Sequence, residues 1–72
     1  MRKISYKPLF KLLIDRDMTR SSLKDISGIS SASIAKLGKG ENITTDVLVR
    51  ICNTLNCELK DIMELVEEEP QE

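Results

Sequence analysis

Apolar residues at helical spacing follow Thr19, in the most informative stretch of the chain. Leu23 and Ile26 are three residues apart, which predicts an amphipathic helix over about 20–27 with both side chains facing inward. Thr19 is a preferred N-cap residue, because its hydroxyl can accept a hydrogen bond from a free N–H of the first turn. Gly28 then ends the helix, since glycine adopts a left-handed backbone without steric cost.

A second helical pattern begins directly after this glycine. Ser30 is the expected cap, and Ile34 and Leu37 form the buried face of a helix from Ser31 to Gly38 or Lys39. Two amphipathic helices that pivot on one glycine indicate a helix-turn-helix, a motif whose second helix can lie in the DNA major groove. This spacing is the strongest functional indication in the sequence.

Three further helices are predicted around this motif. They cover Tyr6 or Lys7 to Arg16, the residues after Thr44 to Leu55, and about Leu59 to Leu65. In the last of them, Leu59, Ile62 and Met63 are expected to face inward. No segment has the pattern of a strand core, although residues 1–5 could be extended. The predicted fold class is therefore all-α, with five helices.

Composition limits the size and type of the protein. Seventy-two residues make one domain, expected over 1–66, with an acidic disordered tail over 67–72. The net charge of −1 is unevenly distributed. Residues 1–57 hold ten Lys/Arg and five Asp/Glu, a net +5, whereas residues 58–72 hold one Lys and seven Asp/Glu, a net −6. A basic body of this kind is compatible with phosphate binding, which depends on the local face rather than on the total charge.

Several other functions find no support in the residues. The chain has no histidine and only two cysteines, Cys52 and Cys57, so a structural zinc site lacks ligands, and both thiols are expected to be buried and reduced. No nucleophile has an adjacent base, and no glycine-rich phosphate loop is present, so an enzyme is not expected. No cofactor or small-molecule ligand is indicated. The absence of an apolar membrane span or signal segment predicts a cytoplasmic location.

From about Ser5 to Leu65 the chain resembles the Cro/repressor-type, lambda-repressor-like helix-turn-helix family of DNA-binding domains. The order and spacing of the predicted helices match the family, and the chain is similar to its small stand-alone members. The matching residues are Met18, Thr19, Leu23, Gly28, Ile29, Ser30, Ser33, Ile34, Leu37, Gly40, Leu48, Ile51, Cys52, Leu55, Leu59 and Ile62.

The resemblance implies a role in double-stranded DNA binding for eight residues. Base-edge contacts are implied for Ser31, Ala32 and Lys36. Backbone-phosphate contacts are implied for Thr19, Arg20, Lys39, Asn42 and Thr44. Serine hydrogen-bonds several bases and alanine contacts only a thymine methyl group, so modest sequence specificity is expected.

Three residues depart from the family pattern. Lys24 stands where alanine usually packs against the second helix of the motif, Ser27 replaces an apolar residue, and Gly38 replaces a frequent glutamate. These departures bear on the base contacts more than on the fold.

The resemblance leaves partners and function partly open. Family members commonly bind as homodimers, and the excess apolar surface of the first helix, with part of the last, could form such a contact. The alternative is a protein-interaction or antitoxin-like module on the same fold. A basic face shared by Arg20, Lys36 and Lys39 would favour DNA, whereas pairing of these cations with Asp25 and Glu41 would favour a protein partner.

Overall fold

The computed structural model describes residues 1–67, which form four α-helices and one small antiparallel sheet. In chain order the elements are β1 (Arg2–Ser5), α1 (Lys7–Asp15), α2 (Arg20–Ser27), α3 (Ser31–Lys39), α4 (Thr45–Leu55), a single 3-10 turn (Leu59–Asp61) and β2 (Glu64–Glu67).

The predicted helix-turn-helix is confirmed in both its boundaries and its caps. The Thr19 hydroxyl accepts a hydrogen bond from the Ser22 N–H at 3.1 Å. At the start of α3, the Ser30 hydroxyl accepts one from the Ser33 N–H at the same distance of 3.1 Å. Gly28 lies between them with φ of 75°, a left-handed conformation that ends α2 and redirects the chain toward α3.

The flanking helices α1 and α4 pack with α2 and α3 around one hydrophobic core. Thr44 caps α4, and Asn56 ends it in a left-handed conformation with φ of 52°. The Arg16 guanidinium, just past α1, donates a hydrogen bond to the Leu55 carbonyl and so satisfies one of the free carbonyls at the end of α4. Side chains from all four helices meet in one core, whose fully buried members are Leu9, Leu23, Leu37, Ile51, Leu55 and Ile62.

One predicted core residue of the motif is exposed. Leu23 and Ile34 are buried as expected, but 59% of Ile26 is accessible to solvent. The turn residue Ile29 is buried at 5% exposure and occupies the core at this end of α2. Ser27 supports that turn, because its hydroxyl accepts a hydrogen bond from the Ile29 N–H at 3.4 Å.

The predicted helical fold with a helix-turn-helix is confirmed, but the fifth helix is not formed and a small two-stranded sheet is present instead. Only Leu59–Asp61 forms a helical turn, and Glu64–Glu67 forms β2. This strand pairs antiparallel with β1, with Arg2 opposite Glu67 and Ser5 opposite Glu64. Backbone hydrogen bonding to a strand more than fifty residues away thus replaces local helical bonding. Ile62 is buried as predicted, but Leu59 is 50% exposed.

Two further expectations fall near the end of the chain. Of the predicted acidic tail, Glu67 belongs to β2 and the rest lies outside the described residues. Cys52 and Cys57 are both free and are half-buried rather than buried. Burial raises the pKa of the Cys52 thiol and raises the pKa of Cys57 to about 11, so both thiols are protonated at neutral pH.

Candidate nucleic-acid interface

One side of α3 is free of core contacts and faces outward. Its exposed residues recur at i, i+1, i+4, i+5 and i+8, which places them on one face of the helix. They are Ser31, Ala32, Ala35, Lys36 and Lys39. The face therefore includes the three predicted base-contacting residues, with small side chains at the start of the helix and both lysines toward its end.

The first turns of α2 and α3 form a continuous surface beside this face. Arg20 and Lys24 from α2 line the same shallow depression as Ser31 and Ile34 from α3. Lys24 departs from the family pattern at a packing position, but its side chain is exposed where α2 and α3 meet. Its position one turn after Arg20 on the same helix was the signal that could have indicated a second cation here.

Arg20 is held in a defined orientation by two neighbours. Its guanidinium carbon lies 4.4 Å from the centre of the Phe10 ring, within the range of a cation–π interaction. A Cβ at Gly38 would lie 3.1 Å from the Arg20 Nη1 atom, so the absence of a side chain at Gly38 leaves room for the guanidinium. The glycine that departs from the family pattern therefore accommodates Arg20 against the end of α3.

A groove runs from Arg20 toward the sheet and contains four cations. Lys3 from β1 and Lys7 from the first turn of α1 line it together with Arg20 and Lys39, and Glu67 is the carboxylate in its lining. Lys3 and Lys7 were not among the predicted site residues. The sequence has basic residues near its N-terminus, but nothing in it indicates that they lie close to α3 in space.

The remaining predicted phosphate contacts lie at helix starts and in the loop after α3. Thr19, Asn42 and Thr44 are all exposed. The Thr44 hydroxyl accepts a hydrogen bond from the Val47 N–H at 3.4 Å, and its own proton can still be donated to a ligand. Thr19, Asn42 and Thr44 do not line the groove that runs from Arg20 toward the sheet, so of this predicted set only Arg20 and Lys39 share it.

The cations of this surface form no ion pair with the carboxylates of the described residues. Within residues 1–67 the ion pairs are the N-terminal ammonium with Glu67 and Arg50 with Asp46, at 3.2 and 3.1 Å. Arg20, Lys36 and Lys39 thus keep their charge available. Neither Asp25 nor Glu41 pairs with any of them in this part of the chain.

Other kinds of site are not evident in the described residues. Residues 1–67 contain no cluster of three or more potential metal ligands. No helix in that range is long and apolar enough to cross a bilayer. The surface is instead one of hydroxyl, methyl, ammonium and guanidinium groups, which are suited to contacts with phosphates and base edges.

Comparison with known proteins agrees with this geometry. The family model for the Cro/C1-type helix-turn-helix DNA-binding domain matches residues 9–68. The chain belongs to this family. No curated protein sequence matches it significantly.

A solved structure supports the assignment to the Cro/C1-type family. The crystal structure of the transcriptional regulator VanUg, Form II, superimposes with a TM-score of 0.88 and 48% sequence identity. The match covers 93% of this chain and 89% of that one. The Cro/C1-type family is defined by DNA binding and not by catalysis.

Proposed function

We propose that this protein is a transcriptional regulator that binds double-stranded DNA sequence-specifically, with α3 in the major groove. The observation that carries the proposal is the outward face of α3, flanked by cations that form no ion pair with a carboxylate among residues 1–67. The similarity to VanUg, which is described as a transcriptional regulator, supports a regulatory role. No catalytic step is part of the proposal.

The base-reading residues in this proposal are Ser31, Ala32 and Lys36. All three are exposed on the outward face of α3. Only Lys36 is long enough to reach several base-edge acceptors, and lysine prefers the O6 and N7 atoms of guanine. The short side chains offer few discriminating contacts, so specificity is expected to be modest and to depend partly on DNA shape.

The phosphate-binding residues surround this face. Arg20 and Lys39 supply charge, and Asn42 with the capping hydroxyls of Thr19 and Thr44 supplies hydrogen-bond donors. The free N–H groups at the start of α4 can add to the phosphate contact near Thr44. Phosphate contacts of this kind fix the register of the protein on the duplex, while base contacts choose the sequence.

A homodimer is the assembly we expect on DNA. Ile14, near the end of α1, is 73% exposed, and an apolar side chain of this size in contact with a second copy would be removed from water. Two copies would then read half-sites about 10 bp apart. Sedimentation at micromolar protein concentration with and without duplex tests this, and a species of only 8.1 kDa without DNA and one protomer per duplex would contradict it.

Selection from a random duplex pool tests the main proposal. The bound sequences should converge on a site, and the affinity should fall steeply as salt concentration rises, because phosphate binding releases counterions. Lys36→Ala should weaken discrimination at one base position, whereas Lys39→Ala should weaken binding to all sequences alike.

The alternative function, a protein-interaction or antitoxin-like module, predicts a different result. It would be supported if the protein bound no duplex even at low salt, and the proposal would then be abandoned. The lack of pairing between Asp25 or Glu41 and the surface cations favours DNA over this alternative.

A further inference from the structure

The sheet places two lysines beside the end of α3, although they lie more than thirty residues away in sequence. A Cβ built on Gly40, at the end of α3, would lie 3.8 Å from the Ile4 carbonyl oxygen of β1. This close approach brings β1 to the end of α3, and Lys3 and Lys39 line the same groove. Lys7 follows in the first turn of α1, and both lysines are exposed.

The groove between these elements carries an excess of positive charge. Among the described residues, Lys3, Lys7, Arg20 and Lys39 line it together with one carboxylate, Glu67. The pairs formed within residues 1–67 include none of the four cations. A groove lined by charges of one sign concentrates the electric field and attracts ions of the opposite sign.

The groove is continuous with the proposed DNA surface. Arg20 lines both this groove and the depression between the first turns of α2 and α3. Lys39 lines the groove and also lies on the outward face of α3. A phosphate backbone that passes Arg20 and Lys39 can therefore continue along the groove toward Lys7 and Lys3.

We infer that Lys3 and Lys7 bind backbone phosphates of the same duplex, so that the DNA interface extends beyond the helix-turn-helix onto β1 and the start of α1. This role holds only if the proposed DNA binding holds. The contacts would be independent of sequence, because ammonium groups bind phosphate as point charges.

The test compares two double variants that remove equal charge. Lys3→Gln/Lys7→Gln changes the groove, while Lys11→Gln/Lys60→Gln changes two exposed lysines outside it. Equilibrium binding of wild type and both variants to a duplex of about two helical turns, or 20 bp, is measured over a salt series. Circular dichroism confirms that each variant is folded.

The expected result is a smaller salt dependence for the groove variant alone. Each lost phosphate contact should reduce the slope of log K against log[salt] by about 0.9 and weaken binding roughly eightfold at 0.1 M salt relative to 1 M. The control variant should keep a slope close to that of wild type. Lys3→Arg/Lys7→Arg retains the charge and should restore binding.

The possible failures are distinguishable. If wild type binds the duplex and both double variants keep the wild-type salt slope, the extension of the interface is wrong but DNA binding stands. If the two double variants lose equal slope, general charge rather than the groove is responsible, which also overturns the inference. If wild type does not bind, the proposed function itself fails.

Discussion

Gly38→Ala should weaken DNA binding without weakening the fold. The added methyl carbon would lie 3.6 Å from Arg20 Cζ, an ordinary contact, but 3.1 Å from Arg20 Nη1, which is closer than ordinary van der Waals contact. Gly38 is not among the glycines with positive φ, so alanine fits the backbone of α3. The guanidinium must therefore shift by at least a few tenths of an ångström, and in the limiting case it leaves the Phe10 ring.

The two effects on stability nearly cancel. Alanine in place of glycine inside a helix is worth about 0.5–1 kcal/mol. Loss of an exposed cation–π contact costs about 0.5–1 kcal/mol. The free energy of unfolding should thus change by no more than roughly 0.5 kcal/mol, within the usual range for a surface substitution. If Arg20 binds one phosphate, its displacement should reduce the salt slope by about 0.9 and the affinity up to about eightfold at 0.1 M salt.

A double-mutant cycle separates Arg20 from other effects of the methyl group. Urea unfolding and duplex binding over a salt series are measured for wild type, Gly38→Ala, Arg20→Gln and the double variant. If Gly38 acts through Arg20, the alanine should have no further effect on binding once Arg20 is absent. Wild-type affinity for Gly38→Ala, or a further loss of affinity in the Arg20→Gln background, would refute the reasoning.

Three further predictions concern the fold. Ile51→Ala removes a side chain with 0% exposure and should lower the free energy of unfolding by about 2–5 kcal/mol; a loss below 1 kcal/mol in urea titration would contradict its central place in the core. Ser30→Ala removes the cap bond to the Ser33 N–H and should cost about 1 kcal/mol, whereas Ser31→Ala, on the exposed face, should cost little by the same measurement. Burial raises the pKa of Cys57 from 9.0 to about 11 in the folded state, so the contribution of this protonated thiol to stability is complete below pH 9 and is lost as pH rises toward 11. In Cys57→Ala the thermal midpoint should therefore fall less steeply between pH 9 and 11 than in wild type. Equal slopes for the two proteins would contradict this assignment.

The helix-turn-helix was predictable because its signals are local. Thr19 and Ser30 cap helices through hydrogen bonds that span three residues, and Gly28 supplies a left-handed conformation that other residues adopt at a cost. Such features need no distant partner, so the limits of α2 and α3 follow from the sequence. The outward face of α3 also followed, because Ile34 and Leu37 define the opposite, buried side.

The end of the chain could not be predicted in this way. Residues 59–65 carry apolar residues at helical spacing, yet Glu64–Glu67 is a strand because β1 offers it backbone partners. Helical spacing is a property of a single segment, whereas pairing of two strands requires a second segment close in space. Here that second segment is β1, near the N-terminus. Ile26 shows the same limit, since only the packing of the assembled helices left it exposed.

The sequence by itself determined the motif, its caps and the face of α3. Only the tertiary structure decided which cations share a surface with that face. Phe10 of α1 and Gly38 of α3 both adjoin the guanidinium of Arg20 from α2. Ile4 of β1 lies close to Gly40 at the end of α3, and Lys3 and Lys39 line one groove. The physical reason is that caps and periodicity are set by neighbours in sequence, while charge on a surface is set by neighbours in space.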